Sequence, residues 1–244
     1  MNTKTILLSL LCIVGITTAS AQSDVYCWKD GKAVKMENLD SLTFKAPEHF
    51  DFAAQWVDLG LSVKWARTNV GATSMIECGT YFAWGEFDGW TSDTDYSKDF
   101  FGYSGSVDET DLLADGGLTL SLAHDAAHVN WNSSWRMPTR EEFQELIDNC
   151  TWTWYDNYRN TGVAGYHVAS KKPGFDNNFI FLPAGGECRE ESKPSAKEIG
   201  GYYWTSSYSD FGPYALLFTP KRLEVFDGLC GAWEGLLVRA VLSE

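Results

Sequence analysis

Thr139-Arg140-Glu141-Glu142-Phe143-Gln144-Glu145-Leu146-Ile147-Asp148-Asn149-Cys150 is the stretch on which the fold class turns. Thr139 is an N-cap residue, Glu142 three places on completes a capping box, and Phe143, Leu146 and Ile147 fall on one apolar face. A helix is therefore expected over residues 139–150. Nothing after it repeats that period. Residues 151–154, 165–170, 178–182, 202–206 and 214–218 instead read as short strands, and 223–226 and 236–242 complete the series. Gly, Asn and Asp stand at the breaks between them. One good helix among short, regularly spaced strands specifies an α+β, largely antiparallel domain with long loops.

Upstream of that helix the same logic thins out. Residues 121–131 have room for a short helix carrying His124, Asp125 and His128. Residues 57–66 make two strand-like pieces broken at Gly60, and 80–84 make another. Residues 85–117 are long, polar and rich in Gly, Asp, Ser and Thr, which reads as a large loop. Nearer the start, residues 25–28 and 33–36 flank Asp30-Gly31, the turn pair of a β-hairpin, and Leu42 and Phe44 alternate as one more short strand. Pro47 opens an aperiodic stretch. The expected organisation is a leader at 1–21, an N-terminal β segment at 22–46, a linker at 47–55 and the main domain at 56–244.

The leader reads as an export signal. Lys4 supplies the positive start, residues 6–16 are apolar or small, and Ala19 and Ala21 hold the small-residue cleavage positions. The apolar run is shorter than the roughly 20 residues a bilayer span needs. Cleavage after Ala21 is expected, placing the product in the periplasm, on the cell surface or outside the cell. The whole chain carries a formal charge of −14, and loss of Lys4 makes the product more acidic still. Such a chain repels phosphate backbones, so nucleic acid is not an expected partner, and no later stretch is apolar enough for an integral membrane protein. Eleven Trp and eleven Tyr first serve core packing, with some left over for recognition at the surface. The expected partner is an extracellular glycan or protein.

Catalytic and metal motifs are sparse. His124 and His128, four apart, share a face if both are helical, but no third ligand accompanies them. The loop at 88–115 concentrates carboxylates, among them Asp93, Asp95 and Asp99, the residues to which a Ca²⁺ ion would go. EF-hand spacing is absent there, and a solvated acidic loop is the reading a charge run favours. No cofactor is expected beyond that Ca²⁺. There is no G-x-S-x-G, no H-E-x-x-H and no C-x-x-C, so no enzyme is expected. Cys27, Cys78, Cys150, Cys188 and Cys230 lie beyond the leader. Their number is odd, so not all can pair within one chain.

Longer blocks carry a resemblance. Val57-Asp58-Leu59-Gly60-Leu61-Ser62-Val63-Lys64-Trp65-Ala66, Ala83-Trp84-Gly85-Glu86, His124-Asp125-Ala126-Ala127 and Trp135-Arg136-Met137-Pro138-Thr139 come in order. Phe181-Leu182-Pro183-Ala184-Gly185, Tyr203-Trp204-Thr205-Ser206-Ser207 and Val238-Arg239-Ala240-Val241 follow. This series resembles the Fibrobacter succinogenes major paralogous domain family. Thr68 and Asn132-Ser133-Ser134 depart from the family pattern, and Cys188 and Cys230 add to it. The resemblance implies a C-type-lectin-like fold: twisted antiparallel strands, one or two helices and long loops. It also implies an adhesive, non-catalytic binding module. A structural subunit of a surface assembly is the alternative, and an enzyme related to formylglycine-generating enzymes is a weaker one. Within that fold the ligand face is expected from loops and late strands, here Tyr155, Tyr158, Arg159, Arg189, Tyr208, Tyr214 and Trp233. Cys188 and Cys230, both additions and both near glycines, are expected to pair with each other. Arg136 is expected to hold a buried charge-assisted bond.

Overall fold

The computed structural model describes residues 25–29, 32–36, 56–91, 112–114, 117–131, 134–188, 194–228 and 230–242. The expected leader, the strand at 42–44, the linker, Asp93, Asp95, Asp99 and Arg189 lie outside the described residues. The chain divides into two compact units, Met1–Phe50 and Asp51–Glu244. In the first, β1 (Val25–Lys29) and β2 (Lys32–Met36) pair antiparallel, with Val25 opposite Met36 and Lys29 opposite Lys32.

The second unit is built of short antiparallel strands around two helices. Its strands are β3 (Trp56–Val57), β4 (Lys64–Ala66), β5 (Thr80–Tyr81), β6 (Trp90–Thr91), β7 (Trp135–Arg136), β8 (Cys150–Tyr155) and β9 (Gly165–Ser170). They continue with β10 (Phe179–Pro183), β11 (Gly201–Ser209), β12 (Gly212–Thr219), β13 (Arg222–Asp227) and β14 (Val241–Leu242). The sheets run β10-β9-β8, β11-β12-β13, β3-β4-β14-β7 and β5-β6. Among the described residues, no helix is long and apolar enough to cross a membrane.

The deciding stretch forms α2 (Arg140–Asn149), and both halves of its capping box are made. Glu142 N donates to Thr139 Oγ1 at 3.2 Å, and Thr139 N donates to Glu142 Oε2 at 2.8 Å. Arg136 grips the same carboxylate with both guanidinium nitrogens, at 2.8 and 2.5 Å. That pair is partly exposed, so it is not the buried charge expected of Arg136. A fully enclosed guanidinium is found instead at Arg239. Its Nε donates to Asn69 Oδ1 at 2.8 Å, its Nη1 to the carbonyls of Ala66 and Arg67, and its Nη2 to that of Phe181. Burial drops its pKa to about 10, still well above neutrality.

The short helix expected over 121–131 is two pieces. A 3-10 turn covers Leu122–His124, and α1 covers Ala126–Asn130. Asp125 breaks them apart because its side chain caps α1, accepting from Ala127 N and His128 N, while its other oxygen accepts from Met137 N at 2.7 Å. His124 and His128 therefore do not share a helical face, and the His-Asp-Ala-Ala block is architecture. His124 Nδ1 meets the Gly85 carbonyl instead, at 3.2 Å.

Strand alternation divides the interior into two cores. One gathers Trp65, Phe143, Leu146, Val168, Ile180, Leu182, Tyr203, Leu216 and Phe218; the other gathers Phe82, Trp84, Trp135, Met137, Trp204, Ala215, Leu236 and Val238. Neighbours in sequence go to opposite cores: Trp65 and Ala66, Tyr81 and Phe82, Tyr203 and Trp204, Leu237 and Val238. A strand buried on both faces reads as unbroken apolar sequence, which is how these blocks look. The expected strand at 236–242 is mostly not ladder. Only Val241–Leu242 is regular, because residues 236–240 bond alternately to Phe82, Tyr202, Trp204, Val70 and Ala66.

Candidate functional site

Three segments of the second unit meet at an open groove of about 320 Å³. Arg140 and Glu141 come from the first turn of α2, Leu118 and Thr119 from the segment before α1, and Ser207 to Asp210 with Tyr214 from the β11–β12 hairpin. A bulge in β11 holds them together. The β11–β12 register shifts between Trp204 and Tyr208, and the residues left over turn their bonding groups outward. Ser206 N donates to the Pro138 carbonyl at 2.8 Å, Leu120 N to the Ser206 carbonyl at 2.7 Å, and Tyr208 N to the Leu118 carbonyl at 2.8 Å. Arg140 N donates to Ser207 Oγ at 3.0 Å, which fastens the helix start to the hairpin. Thr205 Oγ1 spans the bulge, donating to the Tyr214 carbonyl at 2.8 Å and accepting from Ser207 N.

The groove presents aromatic rings beside charges of both signs. Tyr208 lies against the buried Trp84, with ring centroids 5.2 Å apart. The Arg140 guanidinium sits 4.7 Å from the centre of the Tyr214 ring and donates to its hydroxyl at 3.2 Å. Glu141 and Asp210 supply carboxylates. Ser209 Oγ donates to the Gly212 carbonyl at 3.1 Å. The serine hydroxyls of Ser207 and Ser209 thus bond the backbone around the groove.

A second aromatic group covers the outer face of the β8–β9–β10 sheet. Trp152, Trp154, Tyr166 and Val168 face the first core, so period 2 turns Tyr155, His167, Phe179 and Phe181 the other way. Tyr158 stacks on Phe181 at 4.0 Å and is itself 2% exposed. This corrects its expected role as a surface contact: it is the cover of a phenylalanine that would otherwise face water. Tyr155 stands at its edge, 41% exposed, with ring centroids 5.5 Å apart. Arg159 lies over both Tyr158 and Phe179.

The expected ligand residues therefore separate. Tyr208 and Tyr214 meet at the groove, Tyr155 and Arg159 meet on the sheet face, and Trp233 belongs to neither, its indole close against Gly231. Arg140, Glu141, Asp210, His167 and Phe179 were not expected. Arg140 follows a helix cap, where a side chain points away from the core. His167 and Phe179 share a face with Tyr155 by period 2 alone. The bulge that builds the groove has no such periodic signal.

The expected Cys188–Cys230 pairing is not formed. Glu187 and Cys188 are neighbours on an extended segment and point opposite ways. Cys188 enters the first core and Cys230 the second. Burial pushes the Cys188 thiol up to about 12. Cys230 Sγ lies 3.8 Å from Glu187 Oε2, and with Glu234 these form a buried donor group within 4.8 Å. Carboxylates and a thiol can take a divalent ion; a thiol–carboxylate hydrogen bond accounts for the same contact.

Comparison with protein-family models, with curated proteins and with solved structures returned no match.

Proposed function

We propose that the Asp51–Glu244 unit is a C-type-lectin-like binding module, exported by its leader, that recognises glycan in the groove between α2 and the β11–β12 hairpin. The observation that carries this reading is the lining of that groove. Tyrosine rings offer flat contact area at small entropic cost, and Arg140 with Glu141 and Asp210 offers both donors and acceptors to vicinal hydroxyls. A volume of about 320 Å³ suits one or two sugar rings. The family resemblance of the sequence blocks agrees with this reading, and the acidic chain disfavours polyanionic ligands at long range. A separate N-terminal unit supports the alternative of a surface-assembly subunit joined through its β1–β2 hairpin.

A glycan array probed with the mature chain, with and without a chelator, tests the proposal. A neutral glycan should bind, and Arg140→Ala and Tyr214→Ala should each weaken it by more than about 1 kcal/mol at an unchanged thermal midpoint. No bound glycan, or full binding by both variants, sinks the reading. Co-purification of the chain with envelope proteins in place of glycan binding supports the assembly alternative.

A further inference from the structure

The outer face of β8–β9–β10 carries features that packing alone does not require. Arg159 and the following Asn160 both have positive φ, 50° and 61°. Non-glycine residues avoid that region, and two in succession persist only where the surroundings over-determine them. Here they do: Gly162 N donates to Asn157 Oδ1 at 2.7 Å, and Tyr158 N donates to the Val163 carbonyl at 2.8 Å. The result is that the Arg159 guanidinium is laid across aromatic rings, 5.1 Å from the centre of Tyr158 and 5.6 Å from that of Phe179. Among the described residues it makes no ion pair, in a chain with 33 acidic and 19 basic side chains. In the same group, Tyr158 Oη is buried with no hydrogen-bond partner among the described residues. Fold stability gains nothing from an unsatisfied phenol. His167 completes the platform, stacked on Phe179 at 4.4 Å, and Tyr155 forms its exposed rim.

We infer that this face is a second binding site, independent of the groove, that takes an acidic sugar: the carboxylate on Arg159 and the C–H face of the ring on Tyr155. A planar guanidinium matches a carboxylate through two parallel bonds. Stacking on Tyr158 and Phe179 holds it in place before the ligand arrives. The aromatic rim selects a ligand with an apolar ring face over a bare anion.

The test is a titration of the mature chain, in carboxylate-free buffer, with D-glucuronate, D-glucose and acetate, followed by amide NMR over residues 155–167. Glucuronate should shift these resonances saturably, at least tenfold more tightly than glucose or acetate. Arg159→Gly should lose that binding at least tenfold without lowering the thermal midpoint, because glycine accepts the positive φ. Tyr155→Ala should weaken glucuronate but leave acetate unchanged, and Tyr214→Ala should leave glucuronate binding intact. Equal binding of glucose shows that the charge is not read, and equal binding of acetate shows that the ring is not. Either result overturns the proposal, as does full glucuronate binding by a folded Arg159→Gly variant.

Discussion

His167 shows how one side chain reports its surroundings. Its ring is stacked on Phe179 and lies near Tyr155 and Tyr158, and its pKa is lowered from the ordinary 6.5, first by burial and then by the Arg159 guanidinium. The sign of the consequence follows from linkage. Between the lowered folded value and 6.5 the unfolded chain binds the proton and the folded chain does not, so stability falls as pH drops through that window and is complete above it. Other groups titrate in the same range, so the informative quantity is a difference. His167→Gln should show a flatter loss of urea stability below pH 6.5 than the parent chain. Replacing Arg159 by glycine should move the His167 titration upward in an NMR experiment, since the second cause of its shift is gone. An unchanged His167 titration would mean that the guanidinium is not over the platform in solution.

At the scale of elements, α2 is the clearest case of local chemistry deciding structure. Thr139 Oγ1 and the Glu142 carboxylate satisfy each other's backbone donors, and Arg136 holds the carboxylate in place. Thr139→Ala should therefore cost about 1 kcal/mol in denaturant unfolding, and Thr139→Ser should recover most of it. Elements of this kind were legible: the helix, β9 and the β1–β2 pairing follow from caps, alternation and a turn dipeptide within a few residues of one another. Residues 236–242 were legible only as apolar, because their hydrogen-bond partners are scattered from Ala66 to Trp204 and no local pattern encodes that. The 121–131 segment misled for a related reason. Asp125 reads as one more helical position, yet its carboxylate is engaged by Ala127, His128 and Met137, and the last of these is visible only in three dimensions. The groove residues divide in the same way. Tyr208 and Tyr214 stood out as late aromatics, whereas Arg140 meets them only because the β11 bulge brings Ser207 to the start of α2.

For the second unit as a whole, the question is what makes two cores behave as one body. Strands such as β4, β11 and β12 alternate side chains between them, and Arg239 stands in a segment, residues 236–241, that does the same. Its donors reach Ala66, Arg67 and Asn69 on one side and Phe181 on the other, from a residue near the end of the chain. Ala66 lies in β4, which feeds both interiors, and Phe181 in β10, which feeds the first. Arg239→Met keeps much of the side-chain volume but leaves a buried amide oxygen and three carbonyls without these donors. The loss should be roughly 3 kcal/mol or more, since unsatisfied buried acceptors retain their full desolvation cost. Because Trp65 belongs to one core and Trp84 and Trp204 to the other, the same variant tests the coupling. If Arg239 only fills space, unfolding of Arg239→Met followed by tryptophan fluorescence should show a small, single shift in midpoint. If it ties the cores together, the midpoint should fall steeply. Single-tryptophan versions reporting Trp65 and Trp204 should then separate into two transitions that coincide in the parent chain.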